Sequence, residues 1–198
     1  MYGKTGYIPG GFLNGAASAT SAGATDSESG LPLQQGLTLG LQQEFNDADA
    51  ATYSKPGGET LYSGTYTWVQ LDPAVSGTVP VGTPLLWLQT ASGYVVTSVA
   101  TADTDSPDFA GWSIDPNFGA SLPYAFIQQN GKGELLFGAS GFPAAYGVVV
   151  NFVPGTANFT SLASGTLTVT QSTVGYALAV GAASSLSLCR VTWPIVRF

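Results

Sequence analysis

At 198 residues the chain is long enough for one substantial domain or two small ones. Only 9% of its residues are charged against 44% hydrophobic, with a net charge of −7, which excludes both a charge-driven disordered chain and a long-helix protein. The basic residues Lys4, Lys55, Lys132, Arg190 and Arg197 are scattered, and there is no histidine, so clustered phosphate contacts and the usual near-neutral base are both missing.

Residues 1–60 read as an extended N-terminal arm and linker. The start, Met1-Tyr2-Gly3-Lys4, has no continuous apolar run after it, so no secretory signal is expected. Nor does any apolar run approach the roughly 20 residues that span a bilayer. Synthesis in a cytoplasm, without export, is the simplest expectation. Tyr7-Ile8-Pro9-Gly10-Gly11-Phe12-Leu13 is an apolar patch set in glycine, and residues 16–30 are Ala, Ser, Thr and Gly with Asp26 and Glu28 as their only charges. Such a stretch has little apolar surface to offset the entropy of ordering. Leu31, Leu33, Leu37, Leu39 and Leu41 then alternate, the pattern of an extended strand added to some sheet. Residues 42–53 are the one helix candidate, on their Gln, Glu and Ala content.

Lys55-Pro56-Gly57-Gly58 marks a turn, and from Leu61 onward the chain reads as strand and turn. Expected strands cover 61–71, 84–89, 94–100, 109–114, 124–129, 134–137, 146–152, 165–170, 175–180 and 186–193. Many short strands between Gly and Pro predict an all-β sandwich or barrel of antiparallel strands, with a body over 61–198. Asn130-Gly131 between two apolar runs predicts a hairpin, because a tight turn of the right twist needs positive φ. The first of these runs has an upstream echo: Tyr66-Thr67-Trp68-Val69-Gln70 matches Tyr124-Ala125-Phe126-Ile127-Gln128 at a distance of about 58 residues. Gly111-Trp112-Ser113-Ile114 is echoed by Gly175-Tyr176-Ala177-Leu178. These echoes suggest two related halves, 61–120 and 121–198. Val148-Val149-Val150 reads as buried on both faces. Pro194 should end the last strand, leaving Ile195-Val196-Arg197-Phe198 as an apolar tail end.

Few residues could carry chemistry. Cys189 stands alone in an apolar alternating run, which suits a small buried side chain better than a nucleophile without a base. Asp103, Asp105 and Asp108 alternate in a loop and could hold Ca²⁺, but the run lacks the glycine and terminal Glu of an EF-hand loop. The bland alternative is a polar loop with turn-capping Asp side chains. Glu134 and Asp115 are the best acids for a hydrolase, without a shared motif. Trp68, Trp87, Trp112 and Trp193 could form a sugar-stacking platform, though their aliphatic neighbours favour core packing. Asn158-Phe159-Thr160 is a glycosylation sequon with no secretory context, and Gly131-Lys132-Gly133 lacks P-loop spacing.

The glycine- and alanine-rich arm, the aromatic strands ending in Gln (Tyr66 to Gln70, Tyr124 to Gln128), the strand Gly175-Tyr176-Ala177-Leu178-Ala179 and the closing strand with Arg190 together resemble head decoration, or cement, proteins of tailed bacteriophages. The resemblance covers roughly residues 60–193 in style. It implies a structural virion protein: a small β domain outside the head lattice, dimeric or trimeric, bridging major capsid protein subunits, with no catalytic residues, cofactor or metal. Membrane and nucleic acid are not among the expected partners. In that setting Tyr7, Ile8, Phe12, Leu13, Leu31, Leu33 and Phe198 are the expected partner-binding residues, spaced along a tether that could add strands to a neighbour. A phage tail or fibre protein and a carbohydrate-binding β-sandwich module are the alternatives.

Overall fold

The computed structural model describes residues 16–20, 37–48, 50, 61–88, 93–98, 109–152, 158–162 and 172–192. Eleven strands lie among the described residues. They are β1 (Gln42–Phe45), β2 (Gly64–Leu71), β3 (Pro84–Leu88), β4 (Val95–Thr97), β5 (Phe109–Ser113) and β6 (Tyr124–Gln128), then β7 (Gly131–Leu136), β8 (Val149–Phe152), β9 (Phe159–Leu162), β10 (Ser172–Ala177) and β11 (Leu186–Val191). The protein is all-β, as its composition and turn spacing predict.

Strands β2, β4, β3, β5 and β6 close into a five-stranded barrel, because β2 pairs with β6 as well as with β4. All its pairings are antiparallel except β2 with β4. Period-two alternation sorts its side chains. Val69, Leu71, Leu85, Trp87, Val96, Ala125 and Ile127 fill the interior with Phe118. Tyr66, Trp68 and Phe126 belong to a second apolar cluster, with Ala17, Leu37 and Phe45.

The aromatic echo has a structural counterpart. Its two copies lie side by side in this one barrel, in antiparallel register, with Tyr66 opposite Gln128, Trp68 opposite Phe126 and Gln70 opposite Tyr124. Trp68 and Phe126 are both buried and meet edge to face, with ring centroids 5.0 Å apart. The glycine echo marks a shared device. Ala110 is the extra residue of a bulge between β5 and β3, and Val174 is the extra residue of one between β10 and β8. Each is followed by a glycine, Gly111 or Gly175, whose added Cβ would collide with a neighbouring strand's carbonyl, that of Gln128 or Arg190.

The second sheet has the order β7-β11-β10-β8-β9 and is antiparallel throughout. It curls until Phe137, just past β7, bridges Phe159 of β9. Leu135, Phe137, Val150, Phe152, Phe159, Val174 and Cys189 line its inner face and pack with Leu86, Phe109 and Trp112 of the barrel. The two sheets therefore share a core.

Several local expectations change. Asn130-Gly131 does not close a hairpin: β6 pairs with β2 and β5, whereas β7 pairs with β11. Gly131 has φ 95°, as a tight turn requires, but the turn is a corner between two sheets. Gln128 fixes that corner, its side-chain amide donating to the carbonyls of Lys132 at 2.7 Å and Asn130 at 3.1 Å. Residues 42–45 form strand β1 on the edge of β2 rather than a helix. The helix expected over 42–53 begins after this strand: Asp47, Ala48 and Ala50 are helical, with Ala50 N–H donating to the Asn46 carbonyl at 3.0 Å. Val149 is 39% exposed, so its run is not buried on both faces. Strand β9 went unforeseen, and Phe159 of the sequon is fully buried in it.

The N-terminal region enters the body well before Leu61. Ala16 and Ala17 are fully buried. Ala17 pairs with Tyr124 through two backbone hydrogen bonds, 2.7 and 3.1 Å, and Leu37 N–H donates to the Thr20 carbonyl at 2.8 Å. Trp68 exchanges backbone hydrogen bonds with Gly40 and Leu41. Residues 37–41 are not the expected extended strand: they form a turn, with Gly40 at φ 83°, and strand begins only at Gln42, while Leu37, Leu39 and Leu41 pack on this chain's own barrel. Pro194 and residues 165–170 lie outside the described residues.

Candidate interaction surface

Among the described residues, the large apolar side chains that remain exposed are Tyr146, Val149, Tyr176, Val180 and Leu186. All five belong to the second sheet or its connections, and the reason is topological. The inner face of that sheet is covered by the barrel, and the outer face is turned away from it. Residues paired across antiparallel strands point to the same face. Val149 is opposite Tyr176, Tyr176 is opposite Arg190, and Arg190 is opposite Lys132. These four side chains form one row across β8, β10, β11 and β7. Two residues along, Leu188 is opposite Glu134; two further, Leu186 is opposite Leu136. Leu188 and Leu136 are half-buried.

Tyr146, 74% exposed, stands beside this face where Gly147 N–H donates to the Ala177 carbonyl at 2.9 Å. The exposed part ends at Asn151, which is fully buried and accepts a hydrogen bond from the Thr173 hydroxyl at 3.1 Å. Clustered apolar exposure of this kind is a feature of interaction surfaces, whereas single exposed residues are ordinary.

Polar groups border the face at β7. Lys132 Nζ lies 5.5 Å from the ring centre of Tyr62, a cation–π geometry. Burial raises the Tyr62 phenol above its usual range, helped by the charge of Glu134 and a hydrogen bond to it. Arg190 is exposed and makes no ion pair among the described residues.

The residues weighed for chemistry have other tasks. Asp115 is 3% exposed. Its carboxylate accepts the backbone N–H of Ala16 at 2.5 Å and of Asn117 at 2.7 Å, so it fastens the N-terminal segment to the barrel. Glu134 lies in the second sheet, beside Tyr62. Cys189 is buried, and burial pushes its thiol up to about 12. Trp68, Trp87 and Trp112 are core residues. No group of three or more metal-ligating side chains occurs among the described residues. Asp103, Asp105, Asp108 and Trp193 lie outside them, as do Tyr7, Ile8, Phe12, Leu13, Leu31, Leu33 and Phe198.

Sequence reasoning missed the exposed face because its strands are apolar on both sides. Val149 and Tyr176 carry the same composition signal as their buried neighbours Val150 and Ala177. Only the register, with one face against the barrel, separates them. No helix among the described residues is long and apolar enough to cross a membrane. Neither a protein-family model nor a curated protein sequence matches the chain.

Proposed function

We propose that the protein is a structural virion component, a decoration or cement protein that binds the outer surface of a tailed-phage head. The observation that supports this reading is the exposed apolar face of the second sheet on an otherwise well-filled β body. A protein that stabilises a lattice needs broad contact rather than a cleft, and many modest contacts around a shell add through effective concentration. The low charge content suits such a surface, since few ionic groups would need desolvation on docking. In this reading the partner is the major capsid protein, the protein acts as a dimer or trimer, and it performs no catalysis. It is made in the host cytoplasm and ends on the outside of the head. Residues of the N-terminal stretch, Tyr7 to Leu33, would add anchors to the same lattice.

The test is reconstitution. Heads prepared without this protein should take it up to a fixed number per lattice site and become more resistant to heat. A variant carrying Tyr146→Ser, Tyr176→Ser and Leu186→Ser should keep its fold and bind far more weakly, because each fully buried apolar anchor contributes about 1.5–3 kcal/mol. Unchanged uptake by that variant would remove the supporting observation. Tyr146 and Tyr176 could also stack on sugars, so a glycan array gives the competing outcome: selective glycan binding abolished by Tyr176→Ser would favour a carbohydrate-binding module.

A further inference from the structure

The row Lys132–Arg190–Tyr176–Val149 has a polarity: two cations, then an aromatic ring, then an aliphatic side chain, one from each of four adjacent strands. Strands lie about 4.8 Å apart, so the row is roughly 14 Å long. Lys132 and Arg190 are the two basic residues within the described part of a chain whose net charge is −7, and here they adjoin. Charge is scarce elsewhere on this protein, and like charges directly opposite on a sheet are unfavourable. The Tyr62 ring, itself hydrogen-bonded to Glu134, engages Lys132, while Arg190, exposed and in the middle of the row, is left facing outward.

We infer that this row docks an acidic–apolar segment of a partner protein, laid across the strands with a carboxylate over Arg190 and Lys132 and an apolar side chain over Tyr176 and Val149. An extended segment presents same-face side chains every second residue, about 6.8 Å apart. That spacing is close to the roughly 7 Å from Arg190 to the midpoint between Tyr176 and Val149. The arginine fork pairs a carboxylate in two hydrogen bonds. The tyrosine and valine supply the apolar contact, and the pair of requirements sets both the direction and the register of the partner. The inference takes from the proposed function only that this face meets a protein.

The intact, isotope-labelled protein is titrated with a synthetic peptide repeating Asp-Ser-Leu-Ser, and amide shifts are followed by NMR. A peptide repeating Lys-Ser-Leu-Ser is the control. Shifts should centre on Lys132, Val149, Tyr176 and Arg190, and affinity should fall by about tenfold or more between low and high salt. Arg190→Glu, at an exposed position, should reduce binding of the acidic peptide by about tenfold or more and begin to admit the basic one. Tyr176→Ser should weaken binding without changing its salt dependence. Equal binding of both peptides, shifts centred elsewhere, or no effect of Arg190→Glu overturns the inference. Heads that refuse the wild-type protein would instead overturn the virion reading and leave the peptide result standing, so the two failures are distinguishable.

Discussion

Gln128 has its side-chain nitrogen aimed at the carbonyls of Asn130 and Lys132, with that of Ser63 at 3.4 Å. Gly131 and Gly64 crowd the same corner, where an added Cβ on either would collide with the facing backbone. The geometry demands a donor. Gln128→Glu places an anionic acceptor among carbonyl oxygens, and should cost at least ~2 kcal/mol at pH 7. The neutral acid can donate again, so the folded state raises that carboxyl's pKa and stability returns as the pH falls. Urea unfolding at pH 4 and pH 7 checks it: a loss independent of pH would contradict the assigned role. Cys189 gives a second residue-scale expectation. With its thiol pushed up to about 12 by burial, the folded state holds the proton more tightly than the unfolded one. Its contribution is whole below the ordinary thiol range and is lost as the pH climbs through that range towards 12. At pH 8 a thiol reagent should label the native protein far more slowly than the urea-unfolded chain, and rapid native labelling would show that Cys189 is open to solvent. The sequence made this residue legible, since an isolated Cys in an apolar alternation points to burial. The role of Gln128 was not legible, because its three acceptors are carbonyls with no sequence signature.

At the scale of elements, alternation and turn residues located most strands, and failed where a local signal has two tertiary solutions. Asn130-Gly131 supplies positive φ whether the next strand folds back or turns into another sheet. What decides is the closing of β6 onto β2, which already occupies its edges together with β5. Gln42–Phe45 has helix-favouring composition but gains four cross-strand partners on β2 and buries Phe45 against Tyr66, ring centroids 5.7 Å apart. Tertiary pairing outweighs propensities of a few tenths of a kcal/mol per residue. The N-terminal segment follows the same logic. Alanines carry no strong strand signal, yet Ala16 and Ala17 are fully buried. Truncation should therefore depend on its end point. Removing residues 1–14 keeps the bonds made by Ala16 and Ala17. Removing 1–36 also takes away the N–H that Ala16 offers to buried Asp115 and the Ala17–Tyr124 pairing. Lost bonds to buried charged groups are worth ~1.5–3 kcal/mol each, so the longer truncation should lower the urea midpoint clearly. Equal midpoints for the two truncations would show that the segment is dispensable to the body.

At the scale of the whole molecule, the all-β class was readable from abundant Gly and Pro and short apolar runs, but the division of labour between two sheets was not. Leu86, Phe109 and Trp112 sit on barrel strands yet complete the core of the second sheet. Trp112 is opposite Gln128 on β6 and its ring lies over Gly133 of β7, where an added Cβ would come within 2.5 Å of it. Neither sheet can lose the other without exposing this shared apolar surface. Cooperative, two-state unfolding of the whole body follows from that coupling. Two probes report the two sheets separately: Cys189 accessibility reads the second sheet, and near-ultraviolet dichroism of the buried Trp68 and Trp87 reads the barrel. Their urea transitions should coincide. Trp112→Ala should move both midpoints down together, by a loss of about 3–5 kcal/mol for a fully buried large aromatic. If Cys189 became reactive at a urea concentration where the barrel dichroism was intact, the second sheet would be an independent unit. The surface on its outer face could then be remodelled without the barrel, and a shared core could no longer explain why that face is held in shape.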